Sequence, residues 1–164
     1  MELVTLTDYI PDLLVDMRYA GSNNISEKPI SNISMPKLDK MAAMALAKVA
    51  DGLRAQGLRL LVWDAYRSLE TQKVLLAVMP NRHYVSKKSL HCRGLAVDIT
   101  LVDKQGNPLD MGTDHDDFSE RAHIDFVDLT PQQLENRQAL AIAMTHLGHF
   151  KQWPYEWWHF DFVG

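Results

Sequence analysis

Ser89-Leu90-His91-Cys92-Arg93-Gly94-Leu95-Ala96-Val97-Asp98-Ile99-Thr100-Leu101 is the stretch on which the reading of this chain turns. Leu95, Ala96, Val97, Ile99 and Leu101 read as a buried strand entered directly after Gly94, a residue that lets the backbone turn sharply or pass close to another segment. His91 then stands just ahead of the strand and Asp98 lies inside it. A carboxylate between Val97 and Ile99 is costly to bury unless something positive neutralises it. Two partners fit this segment taken alone, a metal ion shared with His91 or an arginine, because a His-x6-Asp spacing is less specific than a sequential motif such as His-Glu-x-x-His.

Glu156-Trp157-Trp158-His159 near the other end shifts the balance towards metal. Two imidazoles and a carboxylate are ligands that zinc accepts, and a catalytic zinc keeps its fourth position for water. Glu156 would then be the proton acceptor. Residues three apart share a face on a helix but point oppositely on an ideal strand. Trp153, Tyr155, Trp157, Trp158, Phe160 and Phe162 read as strand, so the spacing predicts an irregular backbone or bulge at Trp157-Trp158. The plainer alternative buries the aromatics as core and leaves Glu156 and His159 on the surface. Those same aromatics would also give a metal site its dry wall.

Outward from these two segments the pattern is mixed. Residues 12 to 20 read as a strand. Pro36 can open a helix carrying Met41, Met44, Ala45, Val49 and Leu53 at helical spacing, with the methionines as core and a stop at Gly57. Residues 58 to 64 read as a strand that delivers Arg67, and Ser68 can cap a helix running to about Met79. Lys104 to Pro108 suits a hairpin turn after the central strand. Thr130-Pro131-Gln132-Gln133 resembles a capping box opening a helix that ends before Gly148. Helices and antiparallel strands in this irregular order favour an α+β fold over a doubly wound parallel sheet.

The chain has 164 residues, 46% of them hydrophobic, enough for one domain with a real core and few for two. A net charge of -4 without a basic cluster excludes the electrostatic footprint of a nucleic-acid binder or of a protein drawn to anionic membranes. No run of about 18 apolar residues occurs, and the acidic N-terminal stretch lacks the features of a signal peptide. A cytoplasmic location is expected. Cys92 is the only cysteine, so no intramolecular disulfide can form, and a neutral thiol facing away from the site is expected. His83, His115, His123, His146 and His149 need no metal to explain them, although His115 and His123 lie near enough to the candidate site to support it from behind.

The whole pattern resembles the D-alanyl-D-alanine dipeptidases of the vancomycin-resistance type, within a zinc peptidase superfamily that includes D,D-carboxypeptidases, L-alanyl-D-glutamate peptidases and hedgehog domains. Ser89 to Asp98 with Glu156 to His159 carries the wider resemblance. The dipeptidase branch is carried by Asp16-Met-Arg-Tyr19, Trp63-Asp-Ala-Tyr-Arg67, Met111-Gly-Thr-Asp-His-Asp116 and Ser119-Glu-Arg-Ala-His123. The resemblance implies a single α+β domain with a mainly antiparallel central sheet and flanking helices. It implies one zinc per chain on His91, Asp98 and His159, Glu156 as the base, and Arg67 assisting the oxyanion. By the same resemblance Asp116, with Tyr19 nearby, meets the substrate ammonium and the Ser89 hydroxyl meets its carboxylate. Each has a plainer role: Arg67 could bridge to Asp64 or Glu70, Asp116 could sit in a solvated acidic loop, Ser89 could cap a turn, and Tyr19 could only pack.

The expected partner is a free dipeptide, and the expected reaction is hydrolysis of D-alanyl-D-alanine, serving D-alanine recycling or removal of a glycopeptide-antibiotic target. The alternatives are a related cell-wall peptidase and, in another class, a zinc-stabilised binding domain without catalysis. Oligomeric state has no signature in the sequence.

Overall fold

A computed structural model describes residues 1–81, 83–86 and 88–164. In chain order its main elements are β1 (Leu3–Thr5), β2 (Leu14–Val15), β3 (Lys37–Asp39), α1 (Lys40–Arg54), β4 (Arg59–Asp64), α2 (Leu69–Val78), β5 (Ala96–Val102), α3 (Pro131–Ile142), β6 (Phe150–Trp153) and β7 (Glu156–Phe162). Five strands form one sheet in the order β2-β4-β5-β7-β6. Only the β2-β4 pairing is parallel, while β1 and β3 make a separate antiparallel ribbon. The fold is α+β, as the alternation of patterns predicted. Among the described residues, no helix is long and apolar enough to cross a membrane.

Strand β5 is the axis of the molecule. All seven of its residues are buried, and it pairs with β4 on one side and β7 on the other. Gly94, just before it, needs both freedoms that its sequence position suggested. Its φ is +64°, and an added Cβ would stand 2.8 Å from the Asp39 backbone nitrogen. The Asp39 N–H donates to the Gly94 carbonyl at 2.8 Å, tying the turn that bears His91 to the start of α1.

Capping chemistry sets three helix starts. Ser68 accepts from the Thr71 N–H at the head of α2, and Thr130 with Gln133 forms both halves of a capping box at α3. At α1 the start differs from the sequence reading. Residues 37–39 pair with β1, and the Asp39 carboxylate caps the helix by accepting from Met41 N, so Pro36 does not open it. The buried face of α1 is Ala42, Ala43, Ala45, Leu46, Val49, Ala50 and Leu53. Met41 and Met44 are 62% and 46% exposed, which corrects the expectation that they belong to the core. Alanine and leucine already fill the stripe, and the methionines fall on its solvent side.

The strand expected over residues 12 to 20 shrinks to Leu14–Val15. After the Asp16 N–H donates to the Val62 carbonyl, the Asp16 carboxylate accepts from Arg18 Nε and the chain coils into a 3-10 turn over Arg18–Ala20. The expected hairpin after β5 is a tight turn and one bridge, Val102 to Pro108. Asp103 accepts from the Gln105 and Asn107 N–H groups to close the turn, and a proline cannot donate to extend a ladder. The helix after Thr130 is α-helical to Ile142 and continues as a π turn, Ala143–Leu147, up to Gly148.

Candidate active site

Three groups meet where β5 faces β7. Asp98 and His159 are register partners on those strands, and His91 reaches them from the 3-10 turn Leu90–Arg93. Asp98 Oδ1 lies 2.9 Å from His159 Nδ1 and 3.3 Å from His91 Nε2, and the two imidazole nitrogens are 3.2 Å apart. The outer ring nitrogens decide which atoms carry protons. His91 Nδ1 donates to the Ala65 carbonyl at 2.6 Å, and His159 Nε2 donates to Asp161 Oδ1 at 3.0 Å. The inner nitrogens therefore present lone pairs, and Asp98 adds a third. Such a convergence is repulsive unless a cation sits among the donors, so the set fits zinc, with each histidine oriented from behind by an oxygen acceptor.

With no cation among them, the same acceptors draw a proton instead. Burial opposes charge on His159, yet its hydrogen bonds to Asp161 and Asp98 outweigh that and push it up to about 10, so a metal would take the inner nitrogen by displacing a proton. Burial also opposes ionisation of Asp98, but His91, His115 and His159 hold its carboxyl well below the usual range. The site is built to hold positive charge.

Glu156 opens β7, with its Oε2 3.9 Å from His159 Nδ1. The two side chains converge although they stand three positions apart on a strand, and the sheet shows how. Gln152 of β6 faces Phe160, whereas the next residue, Trp153, faces Glu156, so Trp157, Trp158 and His159 bulge between these pairings. The Gln152 side chain fills the gap by donating to the Trp157 carbonyl at 2.8 Å. The irregularity falls where the sequence placed it. Trp157, Trp158 and Phe160 are core, Trp153 lines the cavity, and Glu156 is buried rather than on the surface. Burial raises the Glu156 carboxyl to about 8, with His159 opposing and the carboxylates of Asp98 and Asp116 adding to the rise. A dication beside it would bring it down.

Arg67 fulfils its plainer role and keeps capacity for more. Its Nε and Nη2 bind Asp64 Oδ2 at 2.9 and 2.7 Å, not Glu70, and Nη1 donates to Gln72 Oε1 at 2.8 Å. A guanidinium has five N–H groups, so two remain, and Nη2 is 3.9 Å from Asp98 Oδ2. The arginine and metal readings of Asp98 are thus compatible.

Tyr19, Asp116 and Ser89 line the same cavity, which holds about 180 Å³. Tyr19 Oη donates to Asp116 Oδ1 at 3.0 Å, and burial keeps the phenol protonated. Asp116 Oδ2 is buried and meets no donor among the described residues. The acidic run is therefore not a solvated loop at this residue. Asp116 sits at φ +60°, a conformation that turns its side chain inward. Ser89 does cap a turn, its Oγ accepting from His91 N at 3.3 Å, which leaves the hydroxyl proton free to donate.

His115 does support the site from behind, as its place in the sequence suggested, with Nε2 3.1 Å from Asp98 Oδ2. Two contacts escaped the sequence reading: Asp161 orients His159, and Gln72 braces Arg67. Asp161 was findable, since residues two apart on a strand share a face. His115 sits in an irregular loop with no periodicity to reveal its direction. Cys92 is half-buried, and its thiol is raised by burial. His123 contacts Tyr84 Oη at 3.3 Å rather than the three converging groups.

Comparison with known proteins follows the same lines. The D-alanyl-D-alanine dipeptidase of Escherichia coli K12 is 39% identical over 163 residues, 98% of this chain and 84% of that protein. The Enterococcus faecalis V583 dipeptidase is 27% identical, covering 90% of this chain and 85% of its own. A vancomycin-resistance D,D-pentapeptidase, VanY, solved with Zn(II), is 19% identical with a TM-score of 0.47, covering 82% of this chain and 76% of that one. The model of one peptidase family, described as D-ala-D-ala dipeptidase, matches residues 1–164 from end to end, and the chain belongs to that family, Peptidase M15.

Proposed function

We propose that this chain is a zinc-dependent dipeptidase that hydrolyses D-alanyl-D-alanine to two molecules of D-alanine. The observation that carries the reading is the meeting of three metal-directed lone pairs, a buried carboxylate and an unpaired acceptor in one small cavity. The 164 residues act as one domain, because strands from Leu14 to Phe162 share the sheet that presents the site.

His91 Nε2, Asp98 Oδ1 and His159 Nδ1 would hold the zinc. When bound, it supplies a Lewis acid that lowers the pKa of a coordinated water to about 7. Glu156 takes the proton from the attacking water and returns it to the leaving amine nitrogen, a transfer suited to a carboxylate held in a dry wall. Arg67 lines the cavity with two N–H groups to spare, which would meet developing oxyanion charge, and Asp64 and Gln72 fix the guanidinium in advance. Asp116 Oδ2 receives the substrate ammonium, satisfying an acceptor that otherwise stands alone. The Ser89 hydroxyl donates to the terminal carboxylate.

Size argues for a short substrate. Pockets for drug-sized ligands run to roughly 300–1,000 Å³, and this one is about 180 Å³. The test is release of D-alanine from D-alanyl-D-alanine by purified protein, with loss on chelation and recovery on adding zinc. Release only from a longer D-alanyl-D-alanine-ended peptide would move the assignment to a carboxypeptidase. Zinc binding without cleavage of either would leave a binding domain.

A further inference from the structure

Asp98 uses its two oxygens differently. Oδ1 faces the two ligand histidines, while Oδ2 lies 3.1 Å from His115 Nε2, with the Arg67 guanidinium further off at 3.9 Å. A carboxylate can only accept, so His115 Nε2 carries the proton and donates. We propose that His115 is a positioning residue that clamps the outer oxygen of Asp98, keeping this ligand one-toothed on zinc and leaving the remaining coordination position open for water and substrate.

The surroundings of His115 favour this role over simple packing. Its ring is boxed by Tyr19, Trp63 and Trp158, with centroids at 5.8, 5.3 and 5.6 Å, so its direction is fixed. Nδ1 meets no hydrogen-bond partner among the described residues, which makes Asp98 the close polar commitment of a buried ring. A phenyl ring would fill the same aromatic box without an unpaired nitrogen, so the cost of burying imidazole points to a use for its donor. Asp116, the next residue, adopts φ +60° and turns towards the same cavity, so consecutive side chains address the metal ligand and the substrate end. His115 Nε2 is 3.6 Å from Asp116 Oδ1, linking the two.

The inference rests on the zinc reading given above, and its test reads the metal rather than turnover alone. Wild type, His115→Phe, His115→Leu and His115→Gln are compared, after thermal melting shows which variants keep the fold. Zinc affinity is measured by competition with a chromophoric chelator, and coordination by the visible spectrum of the cobalt-substituted protein. Phe or Leu should weaken zinc binding about 10- to 100-fold, the range for loss of a group that orients a metal ligand. Either should also shift the cobalt bands towards the weaker absorption of higher coordination as Asp98 swings to two-toothed binding. Gln places an amide donor near the Nε2 position and should restore both. A folded Phe or Leu variant with wild-type affinity and spectrum overturns the proposal, as does a Gln variant no better than Phe or Leu. Wild type that binds zinc with the expected variant pattern yet cleaves no dipeptide would defeat the dipeptidase reading and leave this inference standing. Wild type that takes no zinc at these residues would end both.

Discussion

The two ends of the cleft are built by different means. On the proposed metal side, Asp98 and His159 are register partners at the centre of the sheet, Glu156 begins the same strand as His159, and His91 joins them from the 3-10 turn Leu90–Arg93. On the proposed substrate side, Tyr19 rides a 3-10 turn, Ser89 caps the turn that bears His91, and Asp116 occupies a left-handed position in a loop. Strand register holds all of the first set but His91, whereas side chains of α3 tether the loop that carries Asp116. Gln133 Nε2 donates to Asp110 Oδ2, and Arg137 donates to the carbonyls of Met111, His123 and Arg121. Chemistry placed on rigid elements and recognition placed on tethered loops should separate under mutation into losses of metal or turnover and losses of binding.

The sharpest break comes within the metal side itself. His159→Ala should lose bound zinc and activity together, whereas Glu156→Gln should keep zinc and lose roughly 10²- to 10⁴-fold in kcat, the range for removal of a general base. Metal content by mass spectrometry beside steady-state kinetics checks both. If Glu156→Gln sheds zinc, Glu156 belongs with the ligands and the division of roles is wrong.

Arg67 touches both ends, so its variants sharpen the comparison further. Arg67→Lys keeps a charge but not the fork, and should cost roughly 10²- to 10³-fold in kcat. Arg67→Ala also strands the buried Asp64 carboxylate and should lower stability by about 3–5 kcal/mol, read from urea unfolding. A stable, active Arg67→Ala protein would reduce Arg67 to neither role.

Asp116→Asn tests the substrate side. It removes a charged acceptor for the ammonium, and a charge-assisted hydrogen bond of about 1.5–3 kcal/mol predicts a KM increase of roughly 10- to 150-fold with zinc content unchanged. N-acetylated dipeptide, which carries no ammonium, should show no such change between wild type and variant. A fall in kcat with unchanged KM would place Asp116 with the chemistry instead.

What could be read from the sequence follows the same division. Apolar residues flanking Asp98 mark a buried strand, and a carboxylate there demands a partner. The aromatic run around Glu156 and His159 can bring those two together only through a bulge, and the register shift supplies it. Irregular segments give no such constraint. Residues 12 to 20 carried enough apolar side chains to read as strand, yet the local bond between Asp16 and Arg18 turned them into a 3-10 coil that delivers Tyr19. Met41 and Met44 matched a helical stripe with Ala45, Val49 and Leu53, and those three are buried, but Ala42, Ala43 and Leu46 widen the packed face on the side away from the two methionines. His115 lies in a run of acidic residues whose composition suggests solvent, and only a left-handed residue beside it turns the pair inward.

The smallest expected effect tests whether the tether of the substrate loop depends on the start of α3. Thr130 Oγ1 accepts from Gln133 N at 3.2 Å, and Gln133 Oε1 accepts from Thr130 N at 3.0 Å. The same Gln133 side chain holds Asp110 through its amide nitrogen, so the cap and the tether share one residue. Thr130→Ala removes the hydroxyl half alone. Loss of an N-cap typically costs about 1 kcal/mol, which should appear as a small drop in Tm with kcat and zinc affinity unchanged. Gln133 still bonds Thr130 N and Asp110, so KM should stay near wild type. Gln133→Ala cuts both links and should raise KM as well as lower Tm. Equal KM values for the two variants would show that Arg137 and Asn136, which donate to the loop carbonyls from the next turn of α3, hold the substrate side without Gln133.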